Sequence, residues 1–153
     1  MEEDFMLMMS EKNQIARVVD TNRYTERFGL SLSEQDAVML VRERTRSLKE
    51  QQRVEFGKGV LEKLILAFCD SDYIGQDEYA ETIARLQDIF YLYKNESMDV
   101  WTDDELIERM KEAFDGECQG SLDYLEDTYL EKFAREIRTG TKNWFGGCPD
   151  DED

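Results

Sequence analysis

Apolar residues recur along the chain at intervals of three and four, and the gaps between these runs fall at glycines or at Ser and Thr residues suited to capping. The pattern predicts an all-α protein of about six helices. The first is expected from about Ser10 to Phe28, with Ile15, Val18 and Val19 inward, after an apolar lead-in of Met6 to Met9. Gly29 closes it by taking the left-handed conformation. The second begins after Ser33 as N-cap and runs to about Gln52, burying Ala37, Val38, Val41 and Leu48. Val54 to Gly59 reads as a turn, and Val60 to Cys69 as a short apolar helix central to the core. A longer helix from about Asp77 to Asn95 aligns Tyr79, Ile83, Leu86, Phe90 and Tyr93 on one side, a stripe expected to pack rather than to hold a cofactor.

Around Trp101-Thr102-Asp103-Asp104-Glu105-Leu106, Thr102 can cap the Glu105 amide, Glu105 can reach back, and Trp101 can pack on Leu106. Trp101 is therefore structural, and the three acids answer the helix dipole rather than carry catalysis. This helix is expected to run to about Phe114. The last runs from about Ser121 to Arg138 with Leu122, Leu125, Tyr129, Phe133 and Ile137 inward, and Gly140 ends it. The expected organisation is one helical domain, residues 1–140, and a flexible acidic tail, residues 141–153. In that tail Trp144 and Phe145 either dock on the core or serve as a short motif for another protein.

Composition sharpens this picture. At 153 residues, with 41% apolar residues, the chain has the length and the core material for one folded domain. The single proline, Pro149, leaves everything before it free for uninterrupted helices. The longest apolar run, Leu64 to Cys69, is far shorter than a membrane span requires. Acids follow Met1 where a secretory leader would carry Lys or Arg, so export is not expected. The three cysteines, Cys69, Cys118 and Cys148, form no C-x-x-C pair and read as reduced thiols of a cytoplasmic protein, Cys69 in the core and Cys148 the reactive one.

The net charge of −17 is unevenly spread: residues 1–59 hold 11 acids and 10 bases, whereas residues 60–153 hold 25 acids and 9 bases. Such a surface repels phosphate backbones and acidic lipid, which argues against nucleic-acid and membrane partners and for a basic protein surface. A basic stripe, Arg42, Arg46, Lys49 and Arg53, lies along the second helix. It is either a solvated face paired with the acids of the C-terminal part or a docking stripe.

There is no histidine, which removes chemistries that use imidazole as base or ligand. There is no G-x-x-x-x-G-K-[ST] and no G-x-G-x-x-G to cradle a nucleotide phosphate. Carboxylate chemistry remains. Two loops, Asp70 to Glu81 and Asp115 to Glu126, resemble the calcium loop of the EF-hand family, with Asp at position 1, Gly at 6, an acid at 9 and Glu at 12. That resemblance implies Asp70, Asp72 and Glu81, and Asp115, Glu117 and Glu126, as ligands for calcium or magnesium. The first loop departs from it with Ile74 at position 5 and Asp77 at 8, and the second with the longer side chains of Glu117 and Gln119. The opposing explanation makes Gly75 and Gly120 helix stops, and Asp77 and Ser121 caps. Glu78-x-x-Glu81 and Glu112-x-x-Asp115 resemble the paired magnesium motifs of all-helical nucleotide pyrophosphatases, but Glu105-x-x-Glu108 shows how readily such pairs arise in this chain.

The segments Phe28-Gly29-Leu30-Ser31-Leu32-Ser33, Arg53-Val54-Glu55-Phe56-Gly57, Ala67-Phe68-Cys69-Asp70-Ser71 and Cys118-Gln119-Gly120-Ser121-Leu122 resemble those of an uncharacterised family of short acidic proteins from clostridia and related bacteria, over residues 20 to 138. The resemblance implies a bacterial cytosolic protein and carries no activity or site residues. The expectation is a non-catalytic protein-interaction domain with no cofactor, a protein partner presenting a basic surface, and room for a homo-oligomer. The rivals are divalent-cation binding in the two loops and acidic mimicry of nucleic acid.

Overall fold

A computed structural model describes residues 2–53 and 59–139, with the backbone alone for residues 2–9. Among the described residues the chain is helical throughout its regular structure, with six helices of nine residues or more and no strand. No helix there is long and apolar enough to cross a membrane. Two compact units divide the chain, Met1–Tyr91 and Leu92–Asp153, and the division falls inside one continuous helix.

The first unit contains α1 (Glu2–Asp20), α2 (Asn22–Thr25), a 3-10 turn (Glu26–Phe28), α3 (Glu34–Glu50), α4 (Val60–Phe68), a second 3-10 turn (Gln76–Glu78) and most of α5 (Tyr79–Glu96). Within it α1 packs on α3 and α4, and α3 packs on α4. The expected first helix is displaced: helix already runs through Met6 to Met9, and it stops at Asp20 instead of Phe28. Local side-chain bonds explain the stop. The Thr21 hydroxyl donates to the Val18 carbonyl, and the Thr25 hydroxyl donates to the Leu30 carbonyl. Asn22 clamps Leu32 by donating to its carbonyl and accepting from its amide. Such bonds offer the backbone an alternative to the helix ladder and fold the chain back toward Leu32. Gly29 then closes the 3-10 turn at φ 80°, as its sequence position predicts.

Ser33 caps α3, and Asp36 reciprocates by accepting from the Ser33 amide. The buried line of α3 is Ala37, Leu40, Val41 and Leu48, so Leu40 takes the place expected of Val38, which is half-buried. Helix α4 buries Val60, Leu61, Leu64, Ile65 and Phe68. The expected stripe of α5 is buried at all five positions, and Gln87 beside it donates to the Leu40 carbonyl.

The second unit contains the end of α5, then α6 (Asp103–Asp115), a short α7 (Leu122–Tyr124), a π-helical turn (Leu125–Tyr129) and α8 (Leu130–Thr139). Thr102 and Glu105 form the expected capping box, and Trp101 is fully buried. Buried Lys94 donates to the Trp101 carbonyl at 2.6 Å and pairs with Asp103 at 2.8 Å, tying α5 to the entry of α6. The last expected helix is present and Ser121 caps it, but its inward stripe is different. Leu125, Leu130 and Ala134 are fully buried, whereas Leu122, Tyr129, Phe133 and Ile137 are half-buried. The π turn holds one extra residue, so the step from Leu125 to the next buried position is five rather than four. The turn at Val54 and the tail with Trp144 and Phe145 lie outside the described residues.

Candidate functional site

The two acidic loops are built as helix ends. In the first, the Ser71 amide donates to the Phe68 carbonyl, the Ser71 hydroxyl accepts from the Tyr73 amide, and Ile74 is buried where an oxygen ligand would stand. Asp70 and Asp72 are exposed, and Glu81 is exposed on α5. Gly75 has an extended backbone, and Asp77 sits inside a 3-10 turn rather than capping one. Gln76 fastens the loop by exchanging two backbone bonds with Ser31, at 2.8 and 2.9 Å.

In the second loop, the Cys118 amide donates to the Ala113 carbonyl at 2.9 Å and the Gly120 amide to the Phe114 carbonyl at 2.8 Å. These bonds satisfy the last carbonyls of α6, the task of a helix terminus. The helix itself ends at Gly116, and Gly120, at φ 83°, makes the reversal that follows. Asp115 pairs with Lys111 at 3.2 Å, Glu117 is exposed, and Glu126 lies in the π turn. Among the described residues no group of three or more His, Cys, Asp or Glu side chains is placed to hold a metal ion. Of the E-x-x-E type pairs, Glu78 and Glu81 belong to the first unit, and Glu112 and Asp115 to α6 of the second.

Two members of the basic stripe, Arg42 and Arg46, are engaged in ion pairs, and Arg53 lies beyond the end of α3. Arg42 approaches Glu11 at 3.7 Å, and Arg46 pairs with Glu43 and Glu50 on its own helix and with Asp88 of α5 at 3.4 Å. Burial, reinforced by the adjacent Glu43, pushes the Asp88 carboxyl from an ordinary 3.8 up to about 6. The hydrogen bond from Arg46 holds Glu43 below its usual value. This carboxyl pair is a packing joint between α3 and α5.

The π turn opens a cleft of about 520 Å³ in the second unit. Helix α6 supplies Glu112 and Ala113, the loop after it Glu117, α7 Tyr124, the π turn Thr128 and Tyr129, and α8 Lys132 and Phe133. Its wall is aromatic: Tyr129 meets Phe133 edge-on at 4.9 Å, and Phe133 meets buried Trp101 at 6.3 Å. The Arg109 guanidinium lies over two of these rings, 5.2 Å from the Trp101 ring centre and 6.0 Å from that of Phe133. The turn is pinned by the Tyr93 hydroxyl, which donates to the Glu126 carbonyl.

Burial first, then the charge of Glu117, pushes the Tyr129 phenol up, with Glu112 adding and Arg109 opposing. The Cys118 thiol is pushed up by burial and by Glu117, so it is a poor nucleophile at neutral pH. The cleft therefore offers carboxylates, phenols and ring faces, which accept positive charge. Only Glu117 of this set was among the sequence-level ligand candidates. Glu112 appeared in an i, i+3 pair, and Tyr129 and Phe133 read as core. The available signal was the spacing Tyr124, Tyr129, Phe133, which breaks the helical period at the same place as the π turn.

No curated protein and no solved structure is measurably similar to the chain. Residues 17–143 match a family of unknown function, DUF6323, and the chain belongs to that family.

Proposed function

We propose that the protein is a non-catalytic interaction domain whose second unit holds an Arg or Lys side chain of a partner protein. The observation that supports this is the cleft at the π turn, where Glu112 and Glu117 stand over walls formed by Tyr124, Tyr129 and Phe133. Two carboxylates against one ammonium, Lys132, leave the lining net negative. A cation over an aromatic face gains about 0.5–1 kcal/mol at an exposed site and about 2 kcal/mol when desolvated. Burial is the first cause of the raised Tyr129 phenol, and the charges of Glu117 and Glu112 that add to it are the part that favours a guanidinium or ammonium in the same place. A π turn is a frequent device for shaping a functional cleft within a helix, because the extra residue re-aims its neighbours without ending the element. The acidic C-terminal part of the sequence brings a basic partner to this face by long-range attraction.

Calorimetric titration with the peptide acetyl-Gly-Arg-Gly-Arg-Gly-amide tests the proposal. Saturable binding is expected, weakened about tenfold by Glu112→Gln with Glu117→Gln and by raising the salt from 50 to 300 mM. Equal binding by the double variant, or by a peptide with Glu in place of Arg, contradicts it.

A further inference from the structure

The polar groups that line the cleft at the π turn differ from one contributing element to the next. Helix α6 and the loop after it bring the carboxylates Glu112 and Glu117 and no cation. The π turn and α8 bring donors instead, the Thr128 hydroxyl and the Lys132 ammonium, and no carboxylate. Thr128 and Lys132 are four residues apart and both are exposed, a spacing that makes helical side chains neighbours. Tyr129 and Phe133, the residues that follow each of them, supply ring faces to the same cleft.

Lys132 differs from the other bases of α8. Arg135 contacts Glu131 at 3.6 Å, and Arg138 contacts Glu96 and Glu131. Lysines elsewhere in this unit also find carboxylates: Lys94 pairs with Asp103 at 2.8 Å and Lys111 with Asp115 at 3.2 Å. Lys132 has Glu136 one turn ahead of it and two carboxylates in its own cleft, yet among the described residues it pairs with none of them. Glu112 and Glu117 likewise pair with no base among the described residues. Charges of both signs therefore share the cleft and stay open to a ligand. A lysine in a cleft that took only a cation would weaken it by repulsion, whereas a lysine beside carboxylates can orient a ligand that carries both signs.

We infer that Lys132, with Thr128 beside it, receives a carboxylate of the partner, so that the bound segment carries an arginine and an acidic side chain close together. This rests on the reading of the cleft as a site for a basic side chain, and it adds which neighbour that side chain has. The guanidinium goes to Glu112 and Glu117, and the ring faces of Tyr129 and Phe133 receive its plane. The partner's carboxylate accepts from the Lys132 ammonium and from the Thr128 hydroxyl. The reverse orientation sets like charges together at both ends and is disfavoured. Lys132 is thus a specificity residue of the cleft. Because it is exposed, its preference is modest, no more than about fivefold in affinity.

The test is calorimetric titration of the full chain at low salt with acetyl-Gly-Arg-Ala-Glu-Gly-amide and with acetyl-Gly-Arg-Ala-Gln-Gly-amide. The two peptides differ only in the charge of one side chain, which lies two residues from the arginine and so on the same side of an extended segment. The parent is expected to prefer the Glu peptide about three- to fivefold. Lys132→Gln is expected to bind both equally, Lys132→Glu to prefer the Gln peptide, and Lys132→Arg to keep the parent's preference. Circular dichroism checks that each variant keeps its helix content. Equal binding of the two peptides by the parent, or a preference that survives Lys132→Gln in a folded variant, overturns this inference and leaves the reading of the cleft standing. Failure of the Glu peptide where acetyl-Gly-Arg-Gly-Arg-Gly-amide binds does the same. Failure of all three peptides overturns both.

Discussion

Gly29 and Asp88 show how single residues set terms for their surroundings. Gly29 holds φ 80°, and a Cβ added there would meet nothing within 4 Å. Gly29→Ala therefore carries only the backbone penalty of a left-handed residue, and a loss of about 1 kcal/mol is expected in denaturant unfolding. Asp88 binds a proton more tightly in the folded chain, at about 6, than its ordinary 3.8. Between those values the folded state holds more protons than the unfolded one, so this group's contribution to stability is full at low pH. It is lost as pH rises through about 6. Glu43, held low by Arg46, acts in the opposite sense and loses its contribution as pH falls. Asp88→Asn removes the first effect together with the part of the Glu43 shift that comes from the hydrogen bond with Asp88. Its thermal midpoint is expected to exceed that of the parent by roughly 2–4 °C at pH 7.5, a gain kept small by solvent screening, and to match it near pH 4.

At the scale of elements, caps and periods account for what the sequence made legible. Ser33 and Thr102 cap α3 and α6 as their positions predict, and each box is closed by an acid three residues on. Thr102→Ala is expected to cost about 1 kcal/mol in the same unfolding assay. The five-residue stripe of α5 needed only its period to be read. The first helix was misplaced because Thr21, Asn22 and Thr25 bond to nearby backbone, and these bonds depend on where Leu30 and Leu32 come to lie. The π turn was missed because a strict 3.6 period assigns Tyr129 and Phe133 to the core and passes over Leu130 and Ala134. Removing one exposed residue from that turn, Asp127, restores a four-residue step between Leu125 and Leu130. The deletion is expected to preserve helix content and to change stability by no more than about 1.5 kcal/mol, while abolishing Arg-peptide binding. Leu130→Ala, by contrast, is expected to cost about 3 kcal/mol through its cavity.

For the whole molecule, the charge imbalance visible in the sequence acquires a local meaning in the second unit, where acids from α6 and its following loop line a cleft with Tyr124, Tyr129 and Phe133. That cleft was not legible beforehand, because its lining, all within residues 112–133, is brought together around a π turn that a strict 3.6 period does not anticipate. The calcium-loop likeness was legible for the opposite reason, since it depends on spacing alone, and the folded loops use that spacing to close helix ends. The measurement that bears most directly on the acidic cleft is a two-dimensional amide NMR titration with acetyl-Gly-Arg-Gly-Arg-Gly-amide. The expected result is a saturable set of shifts confined to Ala113, Glu117, Tyr124, Thr128, Tyr129, Lys132 and their neighbours, absent in Glu112→Gln with Glu117→Gln. Shifts spread evenly over the exposed acids of the chain, or centred away from the π turn, would contradict it.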